Sequence, residues 1–170
     1  MKAKIIILLL GLLLCFFVYP SAFIYPKDTL PDNNDTRLIA YIINQVQQNI
    51  IYQNPLYFGT YFAPEPNTLT YSDLFLTTSL LTLPLHFFTT HPILIFNIAF
   101  ILSFTLTFYS SFQFFNYLNK SLYPSLICAL IFNLSGYHLH YYAHLQVFSF
   151  WLFFSAILNL LKFLKTNNKN

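Results

Sequence analysis

The sequence predicts an all-α fold, a polytopic integral membrane helical bundle with about four transmembrane helices. The chain of 170 residues is 56% hydrophobic and only 8% charged, and it contains 21 phenylalanines. A soluble domain of this length exposes too large a fraction of its surface to hide so many apolar side chains, whereas a bilayer accepts them. All 5 acidic residues fall between Pro26 and Asp73, so the anionic chemistry of the chain is confined to one polar stretch.

Residues 1–24 are predicted to form the first transmembrane helix, retained rather than cleaved. Lys2 and Lys4 precede roughly 20 mostly apolar residues, which is the length of a helical span. A cleaved signal peptide is the alternative, because residues 5–18 also match the length of a signal-peptide core. The stretch after Val18 has no clean small-x-small cleavage pattern, which favours the retained helix. With either outcome the two lysines stay in the cytoplasm and the chain continues outside.

The polar stretch contains a predicted amphipathic helix that begins near Asp35 and ends at Asn54-Pro55. Asn34 or Asp35 is placed to cap it. Its apolar positions recur every three or four residues and are Leu38, Ile39, Ile42, Ile43, Val46, Ile50 and Ile51. Its polar positions are Asn44, Gln45, Gln47, Gln48 and Asn49. Such a helix can lie in the membrane interface, so replacing Gln47 with Glu is expected to be near neutral.

Residues 74–88 are apolar but short, and the basic residues decide whether this segment crosses the bilayer. If it crosses, all four later lysines fall outside and only Lys2 and Lys4 stay inside. If it is re-entrant or interfacial, all six of these lysines are cytoplasmic and only Lys27 and Arg37 lie outside. The positive-inside bias of membrane proteins favours the second arrangement. The later lysines are Lys120, Lys162, Lys165 and Lys169.

The second arrangement predicts a single membrane domain over residues 1–170. Its spans are roughly 5–24, 92–117, 121–137 and 145–164. Its parts are the first helix at 1–24, an outer loop with juxtamembrane helices at 25–91, three further spans within 92–164 and a cytoplasmic tail at 165–170. The link 136–146 between the last two spans then lies outside.

Charge and cysteine usage argue against several classes of protein. The net charge is +3, but the lysines flank apolar runs, where they set topology rather than bind nucleic acid. Cys15 and Cys128 both lie inside apolar runs, so neither a disulfide framework nor a paired metal-ligand spacing is visible. The sequence also contains no Gly-rich phosphate loop, no G-x-S-x-G and no H-E-x-x-H motif, so it gives no support for soluble-enzyme catalysis.

Two polar clusters are predicted to share the outer side of the membrane. The first cluster comprises Asp28, Asp32, Asp35 and Arg37. The second cluster comprises His138, His140, His144 and Gln146. Ionisable groups at lipid depth are costly and usually mark functional sites. A carboxylate there can act as a general base or bind a metal, so a divalent metal is a candidate cofactor although the sequence identifies none.

Each of these residues also has a structural interpretation. Asp35 can be an N-cap, Arg37 can extend its charge to the membrane surface, and the histidines can be interfacial residues without a ligand. Asp28 and Asp32 are interpreted as residues of a solvated turn. Among the histidines, His144 is the strongest functional candidate.

Three stretches carry a more specific pattern. They are Asn34-Asp35-Thr36-Arg37-Leu38-Ile39-Ala40-Tyr41, then Phe62-Ala63-Pro64-Glu65-Pro66-Asn67-Thr68-Leu69-Thr70-Tyr71-Ser72-Asp73, then Tyr137-His138-Leu139-His140-Tyr141-Tyr142-Ala143-His144-Leu145-Gln146 ahead of Trp151. In this order they resemble the amino-terminal part of the GT-C superfamily, which are polytopic glycosyltransferases that use polyprenyl-phosphate-linked sugars. The last stretch is similar to the "y-r-x-x-H-L-Q" of a bacterial subgroup.

The resemblance implies a multi-pass enzyme of the cell membrane, the bacterial inner membrane in particular, with its active site at the outer face. It would transfer a sugar from a polyprenyl-phosphate donor to a lipid or cell-surface glycan. Asp35 would be the catalytic base or would organise the site, and the substrate-binding residues would be Arg37, Asp73, His144 and Gln146. In the family the acidic residue usually follows a glycine, whereas Asp35 follows Asn34 here. Members of the family also have more transmembrane spans than the four predicted for this chain. The resemblance therefore also implies a missing carboxy-terminal half or a partner subunit.

Two other functions compete with the enzyme. One is a non-catalytic integral membrane subunit for lipid-carrier handling or assembly, and further spans downstream would favour the enzyme over it. The other is a small transporter or channel, which should place charged residues at mid-span. The mid-span polar residues here are uncharged, which lowers this alternative. They are Asn97, Gln113, Asn133 and Asn159.

Overall fold

The computed structural model describes residues 2–32, 34–61, 64–141 and 144–167, which fold without strands. Three helical segments in it are long and apolar enough to cross a membrane. They are Pro92–Asn119, Leu122–His140 and Leu145–Asn167. The all-α prediction is confirmed, whereas the predicted fourth span is not, because the first helix, Lys2–Val18, is shorter than the other three.

The helices follow one another in the order α1 (Lys2–Val18), α2 (Ser21–Ile24), α3 (Asp35–Ile51), α4 (Leu76–Thr82), α5 (Pro92–Asn119), α6 (Leu122–Asn133), α7 (Gly136–His140), α8 (Leu145–Phe148) and α9 (Trp151–Asn167). Two 3₁₀ turns lie at Thr68–Tyr71 and Leu83–Phe87. The chain divides into two compact units. We call Met1–Pro20 with Phe100–Asn170 the aromatic unit, and Ser21–Ala99 the loop unit.

The aromatic unit is built around phenylalanines on α5. Phe100, Phe104, Phe108 and Phe112 recur every fourth residue, so they share one face of the helix, and all four are buried. Ile7 of α1 and Ala129 of α6 pack against Phe108 and Phe112. At Gly11 of α1, an added Cβ would lie 3.1 Å from Phe108 Cδ1. The absence of a side chain there allows the two helices to approach closely, as small residues do in membrane bundles.

The last apolar segment is not one continuous helix, as the sequence predicted for residues 145–164. It is interrupted between Phe148 and Trp151, where α8 ends and α9 begins. Thr107 of α5 bridges this break, because its Oγ1 donates to the Phe148 carbonyl and accepts from the Trp151 N–H at 3.1 Å. Backbone groups released by a helix break at membrane depth need such a partner.

The predicted amphipathic helix of the loop unit is present as α3, and its apolar face is buried. Ile42 and Val46 form a core cluster with Leu69 of the following loop. Leu38, which was assigned to the same face, is instead exposed.

The prediction for the polar face of α3 is wrong. Gln47 is 0% exposed, and its Nε2 donates to the Ser79 carbonyl at 3.1 Å and to Thr82 Oγ1 at 2.8 Å. Asn49 is 1% exposed, and its Nδ2 donates to the carbonyls of Leu56 and Phe58. These amides satisfy buried polar groups of the loop and of α4, so they are interior residues and not water-facing ones.

Helix α4 and the 3₁₀ turn Leu83–Phe87 together are too short to cross a bilayer. Their 7 and 5 residues extend about 20 Å, whereas the hydrocarbon core is about 30 Å thick. This length favours the predicted re-entrant or interfacial placement of residues 74–88.

Candidate functional site

The first turn of α3 carries the predicted catalytic residue. Asp35 is the first residue of the helix and is exposed. A carboxylate at this end is stabilised by the positive end of the helix dipole. Asn34, the residue at the N-cap position, makes no side-chain capping bond, so the prediction that it caps the helix is not confirmed.

Asp32 makes contacts that the sequence analysis missed. Its Oδ1 accepts from the backbone N–H of Thr36 at 3.2 Å and of Asn34 at 2.9 Å, and from Thr36 Oγ1 at 3.0 Å. The interpretation of Asp32 as a residue of a solvated turn is therefore wrong. It accepts a hydrogen bond from the N–H of the second residue of α3. It therefore fixes the start of the helix that carries Asp35 and Arg37.

Arg37 lines an open cavity of about 410 Å³ in the loop unit, which we call the Arg37 cavity. Its walls are Leu30, Arg37, Ala40, Tyr41, Asn44, Pro92 and Ile93. Asn44 Oδ1 is buried and has no hydrogen-bond partner among the described residues. The cavity therefore combines a cation, an amide side chain and an apolar wall, and it lies at the first residues of α5.

Tyr41 connects this cavity to the loop that follows α3. Its hydroxyl accepts from the Thr60 N–H at 2.9 Å, and its ring lies 5.5 Å from the ring of Tyr61. The hydroxyl of Tyr61 donates in turn to the Thr68 carbonyl. Burial, followed by the neighbouring hydroxyl of Tyr41, raises the pKa of Tyr61 above its usual value.

The other predicted substrate-binding residues lie elsewhere. Asp73 belongs to the loop unit and is exposed, and among the described residues it does not line the Arg37 cavity. His144 and Gln146 belong to the aromatic unit, the first half-buried just before α8 and the second exposed. Among the predicted site residues, Arg37 is the one that lines the Arg37 cavity in the described part of the chain.

His138 is the histidine that the structure singles out, although the sequence favoured His144. It is 2% exposed, and its Nδ1 lies 3.1 Å from Ser135 Oγ. Its ring is enclosed by Phe132, Phe148 and Phe150, at centroid distances of 4.6, 5.7 and 5.6 Å. The sequence signal that could have found it is Ser135, three residues earlier, which caps α7 by accepting from the His138 N–H.

No group of three histidine, cysteine or carboxylate side chains that could hold a metal ion occurs within residues 2–32, 34–61, 64–141 and 144–167. Part of the quoted motifs lies outside these ranges, namely Phe62, Ala63, Tyr142 and Ala143, as do residues 168–170 of the predicted tail. Comparison of the chain with protein-family models, curated proteins and solved structures finds no match.

Proposed function

We propose that the chain is a glycosyltransferase module of the cell membrane, which transfers a sugar from a polyprenyl-phosphate donor to a lipid or glycan acceptor at the outer face. The observation that supports this proposal is the Arg37 cavity. A guanidinium suits phosphate, because it donates two parallel hydrogen bonds. The amide side chain of Asn44, which also lines the cavity, can form a hydrogen bond with a sugar hydroxyl. Leu30, Pro92 and Ile93 offer an apolar wall to the first part of a prenyl chain.

A cavity at the end of a membrane span would suit a lipid-linked substrate. Pro92 and Ile93 open α5, the longest of the three candidate spans. We include α1 as the fourth span, since its 17 residues extend about 26 Å, close to the thickness of the hydrocarbon core. With Lys4 at its cytoplasmic end, α1 would then lead the chain to the outer side of the membrane.

In the proposed reaction, Asp35 takes the proton from the acceptor hydroxyl. The acceptor oxygen forms a bond to the anomeric carbon, while the bond from that carbon to the donor phosphate breaks. The bonding electrons leave with the phosphate, and Arg37 stabilises the negative charge that grows on it.

The test is Asp35→Asn, introduced into the protein in its native cells. Transfer from labelled polyprenyl-phosphate sugars is measured in their membranes, together with the amount of the protein. We expect transfer to fall about 10²- to 10⁴-fold with unchanged protein, because Asn retains the size of the side chain but not the basic carboxylate. The control, Asp28→Asn, alters an exposed carboxylate that does not line the Arg37 cavity and should stay active.

A fully active Asp35→Asn protein would remove this residue from catalysis. If the unmodified protein gave no transfer in the same membranes, the non-catalytic subunit would be the better assignment. Arg37→Lys sharpens the test, because it retains the charge but loses the two-point contact with phosphate. It should raise the KM for the donor more than it lowers kcat.

A further inference from the structure

Two adjoining cavities lie in the aromatic unit. The first has a volume of about 220 Å³ and is bordered by α1, α5 and α9. We call it the polar cavity, because its lining includes Lys4, Gln113, Ser155, Asn159 and Lys162. Both lysines carry a positive charge, so an anion in this cavity would be attracted to them.

The second cavity has a volume of about 440 Å³ and is bordered by α1, α5 and α6. We call it the apolar cavity, because most of its lining is aliphatic or aromatic, including Ile7, Leu10 and Leu126. Lys4 and Gln113 line both cavities. A ligand that filled both would therefore have a charged end and a hydrocarbon end.

The uncharged amides of the predicted spans divide into two kinds. Asn97 donates to the carbonyls of Pro26 and Thr29, and Asn133 donates to Ser111 Oγ and the Ala129 carbonyl, so both hold the fold together. Gln113 and Asn159 instead line the polar cavity. Beside Lys4 and Lys162, these amides can donate hydrogen bonds to an anionic headgroup in this cavity.

We propose that the two cavities together bind an anionic phospholipid of the cytoplasmic leaflet, with its phosphate in the polar cavity and an acyl chain in the apolar cavity. The positive-inside bias places Lys4 and Lys162 on the cytoplasmic side. Basic pockets between transmembrane helices on that side bind anionic lipid headgroups. This site is independent of the proposed sugar transfer.

The test is native mass spectrometry of the purified full-length chain in neutral detergent, titrated with dioleoyl phosphatidylglycerol or dioleoyl phosphatidylcholine. We expect phosphatidylglycerol to bind about 25-fold more tightly, about fivefold for each lysine. The double variant Lys4→Gln/Lys162→Gln should lose this preference, and Lys4→Arg/Lys162→Arg should keep it. Lys120→Gln is the control, because this exposed lysine lines neither cavity. Equal binding of the two lipids, or a preference that survives the double Gln variant, would overturn the proposal.

A second pair of variants tests the acyl chain. Leu126→Phe places a larger side chain in the apolar cavity and should weaken phosphatidylglycerol binding at least tenfold. Ile127→Phe, at the adjacent exposed position on α6, should leave it unchanged. Millimolar inorganic phosphate should not displace the lipid. If the two Phe variants had equal effects, or if inorganic phosphate fully displaced the lipid, the cavities would form a site for simple anions. Either result would reject the proposal that a lipid binds there.

Discussion

The aromatic unit and the loop unit are stabilised by different contacts. In the aromatic unit, Phe148 packs between Phe100 and Phe104, at ring-centroid distances of 4.8 and 5.7 Å. In the loop unit, the amides of Gln47 and Asn49 donate hydrogen bonds to the segments that follow α3. Lipid tails are as apolar as the helices they surround, so ring packing and close approach provide much of the stability of the first unit. The second must satisfy the polar backbone of long irregular segments, and therefore depends on individual hydrogen bonds.

The largest difference is expected at Gln47. Gln47→Glu replaces a buried donor with a carboxylate facing the Ser79 carbonyl, so it should lower the free energy of unfolding by about 3 kcal/mol. Gln48→Glu, at the half-buried neighbouring position, should change it by less than about 0.5 kcal/mol. Thermal unfolding of the purified chain in detergent measures both. If Gln47→Glu and Gln48→Glu changed the free energy of unfolding equally, the polar face of α3 would lie in water.

A smaller loss of stability is expected at Gly59, where two parts of the loop that follows α3 pack closely together. A Cβ at Gly59 would lie 2.6 Å from Thr68 Oγ1, so Gly59→Ala should cost about 2 kcal/mol. Gly136 of the aromatic unit is the matched control, because nothing lies within 4 Å of its added Cβ. Gly136→Ala should therefore leave the melting temperature unchanged or raise it. A Gly59→Ala protein as stable as the Gly136→Ala protein would contradict the close contact in the loop.

Asp32 tests the start of α3. Asp32→Ala removes the acceptor of the Thr36 and Asn34 N–H groups and should cost about 1 kcal/mol. Asp28→Ala, at an exposed position of the same stretch, should cost close to nothing. Denaturation followed by circular dichroism compares the two variants. If they were equally stable, Asp32 would be the solvated residue that its sequence context suggests.

The smallest effect is expected at the break in the last apolar segment. Thr107→Val retains the shape of the side chain but loses its bonds to the Phe148 carbonyl and the Trp151 N–H. Hydrogen bonds between membrane helices contribute about 0.6 kcal/mol on average, because an unfolded chain in the membrane also finds partners. Thr105→Val is the control, because the Oγ1 of Thr105 on the same helix has no hydrogen-bond partner among the described residues. Thermal unfolding in detergent compares the two. A loss at Thr107 as large as that at Gln47 would show that the aromatic unit also depends on single hydrogen bonds.

The parts of the fold that follow from periodicity and length could be predicted from the sequence. Helix α3 was expected near Asp35 and is Asp35–Ile51, and a span was expected at 92–117 where α5 is Pro92–Asn119. The break between Phe148 and Trp151 could not be predicted, because the bond that compensates for it comes from Thr107, 41 residues before Phe148.

The candidate site was predictable only in part, for the same reason. Arg37 could be selected by its charge, since it is the only arginine in a chain with few charged residues. Asn44 could not, because a helix face rich in glutamine and asparagine is predicted to face water, and only the structure shows that Asn44 lines a cavity. Asp32 and Asp28 likewise look alike in sequence, and only the fold shows that Asp32 accepts from the first turn of α3.

The orientation of the chain is tested most directly by cysteine labelling. Asp28→Cys and Lys120→Cys, both at exposed positions, are placed separately in a Cys15→Ala/Cys128→Ala background. A membrane-impermeant maleimide is applied to intact cells and again after permeabilisation. The predicted topology requires Cys at position 28 to react in intact cells, and Cys at position 120 to react only after permeabilisation. Reaction at position 120 in intact cells would contradict it, because residues 74–88 would then cross the bilayer.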